Sequence, residues 1–237
     1  MGSERLPGKM MLEVAGKPLL GHLIDRVKQV RGVDSIVIAT PDTKPNDVIE
    51  AYCKEAGVSC FRGSEDDVLG RMVGALEQEG ADIGIEIYGD SPLIDPRLVE
   101  ECFVEYKKGG CDWVGNDRKN TYPSGMFTET FSVSALQNSA TKTSDPAVRE
   151  HGTLYVRQHP DEYKQKNIEG KGKLNRPDVH LDIDSPEDFA LFESIVTHFA
   201  PRNDFSLEEI LAYLDAHPDI AKGNQHVHRR WTQYQIK

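Results

Sequence analysis

Apolar positions along this chain follow two periodicities, and the two alternate. Ile83, Ile85 and Ile87 stand at every second place of 82–88, the spacing of a strand with one buried face. Ser35-Ile36-Val37-Ile38-Ala39-Thr40 is a continuous apolar run, as a strand covered on both faces reads. Positions 58–61 add a short strand and 112–115 a fragment. Helical spacing fills the intervals. Leu19, Leu20, Leu23, Ile24 and Val27 share one face behind Pro18, a residue suited to a first turn. Positions 47–56 predict a second helix, closed by Gly57 at C′. A third spans 65–78 through Val68, Leu69, Met72, Val73 and Leu76, and a fourth spans 96–108 up to Gly109-Gly110. Strand and helix in repetition predict an α/β fold with a parallel, doubly wound sheet.

The rhythm changes after Gly115. Positions 116–131 are polar and predict a long loop, a length that is often functional in a compact domain. A helix is expected over 145–158, a strand over 163–168 and a loop over 170–177. Val179, Leu181 and Ile183 then alternate with His180, Asp182 and Asp184, which predicts a last strand. Ser185, Pro186 and Asp188 follow as N-cap, N1 and capping-box residues of a helix carrying Phe189, Phe192, Val196 and Phe199. Leu207, Ile210, Leu211 and Leu214 make one more amphipathic helix. The expected organisation is a body of 1–200 and a helical extension with a tail over 201–237.

Composition narrows the function classes. The 237 residues are 38% hydrophobic and 28% charged, enough for one full core. A net charge of −11 disfavours nucleic acid and anionic membrane as partners, because the overall field repels polyanions. No apolar run approaches the roughly 18 residues of a membrane span. Cys53, Cys60, Cys102 and Cys111 lack CxxC spacing, which points away from zinc and disulfides and toward the cytoplasm.

The candidate chemistry gathers at turns. Gly89-Asp90-Ser91-Pro92-Leu93-Ile94-Asp95-Pro96 follows the 82–88 strand, at the sheet edge where open α/β folds bind ligands. Asp90 there reads either as a turn cap or as a ligand of a hard cation. Asp184 ends a strand in the same way, and Ser185 already supplies the cap, so two carboxylates could share one divalent ion. Arg5-Leu6-Pro7-Gly8-Lys9 sets two cations around a glycine turn, suited to a phosphate; a frayed basic terminus is the alternative. Arg62 and Ser64 flank a strand-to-helix turn, where anions bind readily. Asp67 and Arg71 read as a ligand-side pair or as a surface ion pair worth about 0.3–0.5 kcal/mol. Arg149-Glu150-His151 can aim at most two side chains at one ligand, and a solvated face is the alternative. His226 and His228 alone make a poor metal site.

Five of these stretches, in this order, resemble the spore-coat-polysaccharide branch of the cytidylyltransferases: Arg5–Lys9, Phe61-Arg62-Gly63-Ser64 with Asp67-Val68-Leu69, 89–96, Arg149-Glu150-His151, and Asp184-Ser185-Pro186-Glu187-Asp188-Phe189. The branch is related to the synthetases of CMP-activated 3-deoxy-octulosonate and sialic acids. The resemblance implies a glycosyltransferase-A-like nucleotidyltransferase fold: a Rossmann-like, mostly parallel sheet flanked by helices. It also implies CTP as donor, a sugar or sugar-acid acceptor, Mg2+, and a homodimer as a candidate assembly. Carried over by position, Arg5, Gly8 and Lys9 hold the triphosphate, Arg62, Ser64 and Gly89 lie by the nucleotide, and Asp90 and Asp184 bind the metal. Lys9, Asp90 and Asp184 form the catalytic set, and Tyr122, Gly125, Glu129, Arg149 and His151 line the sugar side.

Two departures carry expectations of their own. Members of the family usually open with a strand and an Ala-Arg pair ahead of Met-Gly-Ser, whereas this chain starts at Met1-Gly2-Ser3. A gap in the sheet, or a re-paired neighbour, is expected there. The family also carries an aspartate two residues before the glutamate matched by Glu129, where this chain has Phe127. Two other readings stay open: a non-catalytic nucleotide- or sugar-binding remnant, and a glycosyltransferase reading Asp182-Ile183-Asp184 as its metal motif.

Overall fold

The computed structural model describes residues 5–229. A hairpin of β1 (Glu13–Val14) and β2 (Lys17–Pro18) leads into α1 (Leu19–Val27), whose start at Leu19 follows directly from Pro18. β3 (Val37–Pro41), α2 (Asp47–Ala56), β4 (Ser59–Gly63), α3 (Val68–Gln78), β5 (Ile83–Ile87) and α4 (Pro96–Lys107) continue the alternation. α2 ends on Gly57 at φ 67°, a conformation that costs glycine little. α3 begins three residues later than its apolar spacing suggests, because Asp67 caps it by accepting from the Gly70 amide.

β6 (Trp113–Gly115), β7 (Thr128–Ser132), α5 (Val133–Lys142), α6 (Pro146–Arg149), α7 (Leu154–Gln158) and β8 (Gln165–Asn167) form the middle of the chain. The expected loop over 116–131 ends in a strand. β7 is polar in sequence, yet Thr128, Glu129 and Thr130 are fully buried, so hydropathy gave no sign of it. β7 inserts between β5 and β6, antiparallel to both, and β8 runs parallel to β6, in the order β5-β7-β6-β8. The sheet is therefore mixed. The expected helix over 145–158 is two short helices, broken at His151–Thr153, where Gly152 packs so closely on Met72 that a Cβ would meet its sulfur at 1.9 Å.

α8 (Pro186–Phe199), α9 (Leu207–Ala216) and α10 (Pro218–Ala221) close the fold. α8 and α9 each start with a reciprocal capping box, Ser185 with Asp188 and Ser206 with Glu209. The apolar faces of α8 and α9 share one core with Leu19, Leu93 and Met126. The extension beyond residue 200 is thus packed into the body, bolted by Arg26. That buried guanidinium donates to the carbonyls of Ile94 at 2.7 Å, Asn203 at 2.8 Å and Phe205 at 2.9 Å. The expected strand over 179–184 keeps its alternation, with Val179, Leu181 and Ile183 buried, but pairs with loops through a single bridge from His180 to Ser124.

β3 and β4 pair in parallel as a separate two-stranded sheet. Between β3 and β5 lies an apolar slot of about 440 Å³, lined by Ile36, Ile38, Ile85 and Ile87 and walled by α1, α3 and α4 residues. β3-β4 and β5-β7-β6-β8 are thus separate sheets on either side of this slot. Among the described residues, no helix is long and apolar enough to cross a membrane, and all four cysteines are free.

Candidate active site

Gly8, at φ 70°, turns the chain so that Lys9 starts a short 3-10 turn facing the 183–184 segment. Lys9 Nζ donates to the Ile183 carbonyl at 2.6 Å and lies 3.1 Å from Asp184 Oδ1 and 3.9 Å from Asp90 Oδ2. Two carboxylates more than ninety positions apart in sequence therefore meet at one ammonium, well within a nanometre of each other. Arg5 pairs with the other oxygen of Asp184 at 2.9 Å. The Ile183 amide donates to the Asp90 carbonyl at 2.8 Å, which ties the two carboxylate-bearing segments together. Pro92 and Pro96 stiffen the first segment, and Asp95 caps α4 and also accepts from the Leu207 amide.

A cavity of about 360 Å³ opens beside this pair. Asp90, Ser91 and Asp182 line one side, Ser124, Gly125 and Phe127 another, and Glu150 and His151 cover it. Desolvation raises the Asp90 pKa to about 6, Lys9 opposes the shift, and Asp182 and Asp184 add to it; the carboxylate stays a third exposed at the rim. Lys9 and Arg5 share Asp184, Lys9 also approaches Asp90, and Arg229 lies 3.7 Å from Asp182. Gly125, at φ 80°, lies so close to the neighbouring main chain that a Cβ would stand 2.5 Å from the Leu181 carbonyl carbon.

The cavity floor is built by β5, β7 and α7. Glu129 is fully buried and accepts from Tyr88 Oη at 3.0 Å, Trp113 Nε1 at 2.6 Å, Arg157 Nη1 at 2.9 Å and Thr153 Oγ1. Arg157 Nη1 also bonds Asp117 at 2.5 Å. Desolvation and the Glu129 charge raise the Asp117 pKa to about 7, and the same causes raise Glu86 well above the usual carboxylate range.

The other residues singled out in sequence lie as follows. His151 and Gly125 line the cavity. Arg149 bonds Asp67 at 2.7 Å and the carbonyls of Ala140 and Thr143. Tyr122 is buried in the core under α8 and α9. Arg62 is held by Asp47 at 2.9 Å and Glu50 at 2.7 Å, and Ser64 Oγ accepts from the Asp67 amide. Gly89 is exposed at the turn before Asp90. His226 lies 3.9 Å from Glu187 and is exposed, and the His228 carbonyl accepts from Arg5. Sequence reading passed over Glu86, Tyr88, Asp117 and Arg157. Glu86 alone carried a signal, a charge set between two isoleucines of a strand; the others are joined only by the fold.

Comparison with known proteins shows what the chain is similar to. The model of the family described as cytidylyltransferase matches residues 1–216. The spore coat polysaccharide biosynthesis protein SpsF of Bacillus subtilis (strain 168) is 33% identical over 230 residues, 93% of each chain. The 3-deoxy-manno-octulosonate cytidylyltransferase of Escherichia coli is 37% identical over 99 residues, 42% of this chain and 39% of its own. The structure of a cytidylyltransferase from Leptospira borgpetersenii serovar Hardjo-bovis (strain JB197) superposes with a TM-score of 0.89 at 28% identity, covering 97% of this chain and 95% of the other. With the family model matched over 1–216 and a relative 33% identical along 93% of each chain, the chain belongs to the cytidylyltransferase family.

Proposed function

We propose that this protein transfers CMP from CTP to a hydroxyl of a sugar or sugar acid and releases pyrophosphate. The observation that carries the reading is the meeting of Asp90 and Asp184 at Lys9, beside a cavity large enough for a sugar. The acceptor oxygen bonds to the α-phosphorus as the bond to the β-phosphate oxygen breaks. Such a reaction calls for positioning and charge neutralisation rather than a covalent nucleophile. Arg5, Gly8 and Lys9 are the phosphate side, with Arg62, Ser64 and Gly89 as the nucleotide side. Gly125 and His151 face the acceptor, and Tyr122, Glu129 and Arg149 hold the walls behind them.

The residues fit a magnesium ion. Asp90 and Asp184 offer hard oxygen donors, and Lys9 stands between them as a cation would. Magnesium is usually held by one or two carboxylates together with substrate phosphates and water. When bound, it would neutralise triphosphate charge and orient the leaving group.

Pyrophosphate release from CTP in the presence of Mg2+ and a sugar acid tests the reading. Asp90→Ala and Asp184→Ala are each expected to lower the rate by about 10²–10³-fold. A wild-type chain that binds CTP but releases no pyrophosphate with any acceptor favours the non-catalytic reading. Turnover that survives either alanine contradicts the assignment of these two aspartates.

A further inference from the structure

Beyond the 1–216 stretch that matches the family, the chain comes back to the site. Asn224 and Arg229 are both buried, and they converge on one carboxylate, Asp188. Arg229 Nη1 donates to Asp188 Oδ2 at 3.0 Å, and Nη2 donates to Oδ1 at 2.7 Å. Asn224 Nδ2 donates to the same Oδ1 at 2.7 Å and to the His180 carbonyl at 3.0 Å. The His228 carbonyl accepts from Arg5 Nη1 at 2.9 Å, while Arg5 Nη2 bonds Asp184 Oδ2 at 2.9 Å. Residues 224–229 therefore reach both Asp188 and the cation that pairs with Asp184.

The clamp on Asp188 exceeds what its helix needs. A capping box asks the residue at N3 for one bond, to the amide of the cap. α9 is capped in that way by Glu209, whose side chain is 40% exposed and meets an exposed Arg202. The Asp188 side chain is 1% exposed, and its partner Arg229 is 4% exposed. Burying such a pair carries a desolvation cost that a helix start does not require. The second amide explains the difference. Asp188 Oδ2 accepts from the Ser185 amide at 2.9 Å and also from the Asp184 amide at 3.0 Å. A guanidinium that meets both oxygens of a carboxylate fixes its plane as well as its place. With that plane fixed, the backbone from which the Asp184 side chain projects is fixed too.

We propose that Arg229 is a positioning residue: through Asp188 it holds the Asp184 amide and so aims the Asp184 carboxylate at the divalent ion. This rests on the reading above, in which Asp184 binds the metal. Asn224 steadies the same carboxylate, and the His228 carbonyl holds Arg5 beside it. Arg229 Nη1 also stands 3.7 Å from Asp182 Oδ2, so one buried cation faces two acidic residues behind the cavity. Losing a group that orients a metal ligand typically costs about 10- to 100-fold in metal affinity, although the group never touches the metal.

The test is electron paramagnetic resonance titration of Mn2+ into the full chain with CTP. Wild type is compared with Arg229→Gln, Leu136→Ala and Asp184→Ala. Arg229→Gln is expected to weaken Mn2+ binding about ten- to a hundredfold. Leu136→Ala empties buried volume in a separate core under α5, so it lowers the melting temperature without reaching Asp184. Its Mn2+ affinity should stay near that of wild type, which separates lost positioning from lost stability. Unchanged Mn2+ affinity in Arg229→Gln, or an equal loss in Leu136→Ala, overturns the proposal. Should Arg229→Gln fail to fold, Asn224→Ala takes its place: it removes one donor from Asp188 and leaves the ion pair. Mn2+ affinity equal to wild type in that variant overturns the proposal as well. Asp184→Ala tells the two readings apart. Weakened Mn2+ binding there, with wild-type affinity in Arg229→Gln, removes the positioning role alone. Wild-type affinity in Asp184→Ala removes the metal assignment and the positioning role together.

Discussion

Asp117→Asn should make this protein more resistant to alkaline conditions. Asp117 is 10% exposed, and its pKa rises from the ordinary 3.8 to about 7 through desolvation and the Glu129 charge, with Arg157 only partly offsetting them. A carboxyl raised in the folded state binds its proton more tightly there than in the unfolded chain. The folded state therefore holds more protons between the two pKa values, and stability falls as pH rises through that window. Each pKa unit is worth about 1.4 kcal/mol. From pH 5 to pH 8 about two of the three units are crossed, so the wild-type chain loses about 3 kcal/mol through this group. At this chain length that is a fall of roughly 6–12 °C in melting temperature. Asparagine keeps an oxygen for Arg157 and carries no proton to lose. Glu86 titrates with the same sign and remains in the variant, so a residual slope is expected. Urea unfolding at steps of pH between 5 and 8, followed by circular dichroism, gives both curves. The stability of Asp117→Asn relative to wild type should rise by about 3 kcal/mol across the range. Curves that run parallel refute the burial argument for the cavity floor.

Further outcomes concern the scaffold. Arg26→Met leaves the carbonyls of Ile94, Asn203 and Phe205 without their donor. The loss is expected to be on the order of 3–5 kcal/mol and to appear as a melting temperature lower by about 10 °C or more. Gly125→Ala places a Cβ 2.5 Å from the Leu181 carbonyl carbon and 2.6 Å from the Asp182 nitrogen, at φ 80°. The 181–184 main chain has to move, so urea titration should show a loss of about 2 kcal/mol or more, and kcat for pyrophosphate release should fall with it.

Much of the fold could be read from the sequence, because core-facing residues keep their periodicity wherever burial alone decides the element. The capping box of α8 and Gly57 behind α2 were of this kind, whereas the alternation in β5 marked the strand but not full burial: Ile83 is exposed, and Ile85 and Ile87 are half-buried along the slot. β7 was not, since its threonines and glutamate are buried by the assembled sheet, the glutamate among donors from Tyr88, Trp113, Thr153 and Arg157. The break between α6 and α7 was hidden for a related reason: Gly152 there packs against the end of the Met72 side chain, eighty positions away. At the site, Lys9, Asp90 and Asp184 each stood at a turn beside a regular element, where sequence marks them. Asp117 and Arg157 lie in a loop and a short helix, and no spacing connects them. The acidic floor of the cavity exists only once the chain has folded.

The claim on which the account depends is that Asp90 and Asp184 hold one divalent ion against the triphosphate. Electron paramagnetic resonance of Mn2+ with the protein and CTP measures it most directly. The account predicts a bound-manganese signal that requires CTP and weakens about a hundredfold in affinity in both Asp90→Ala and Asp184→Ala, as expected when a site loses one of two carboxylate ligands. A signal of unchanged affinity in either variant contradicts it.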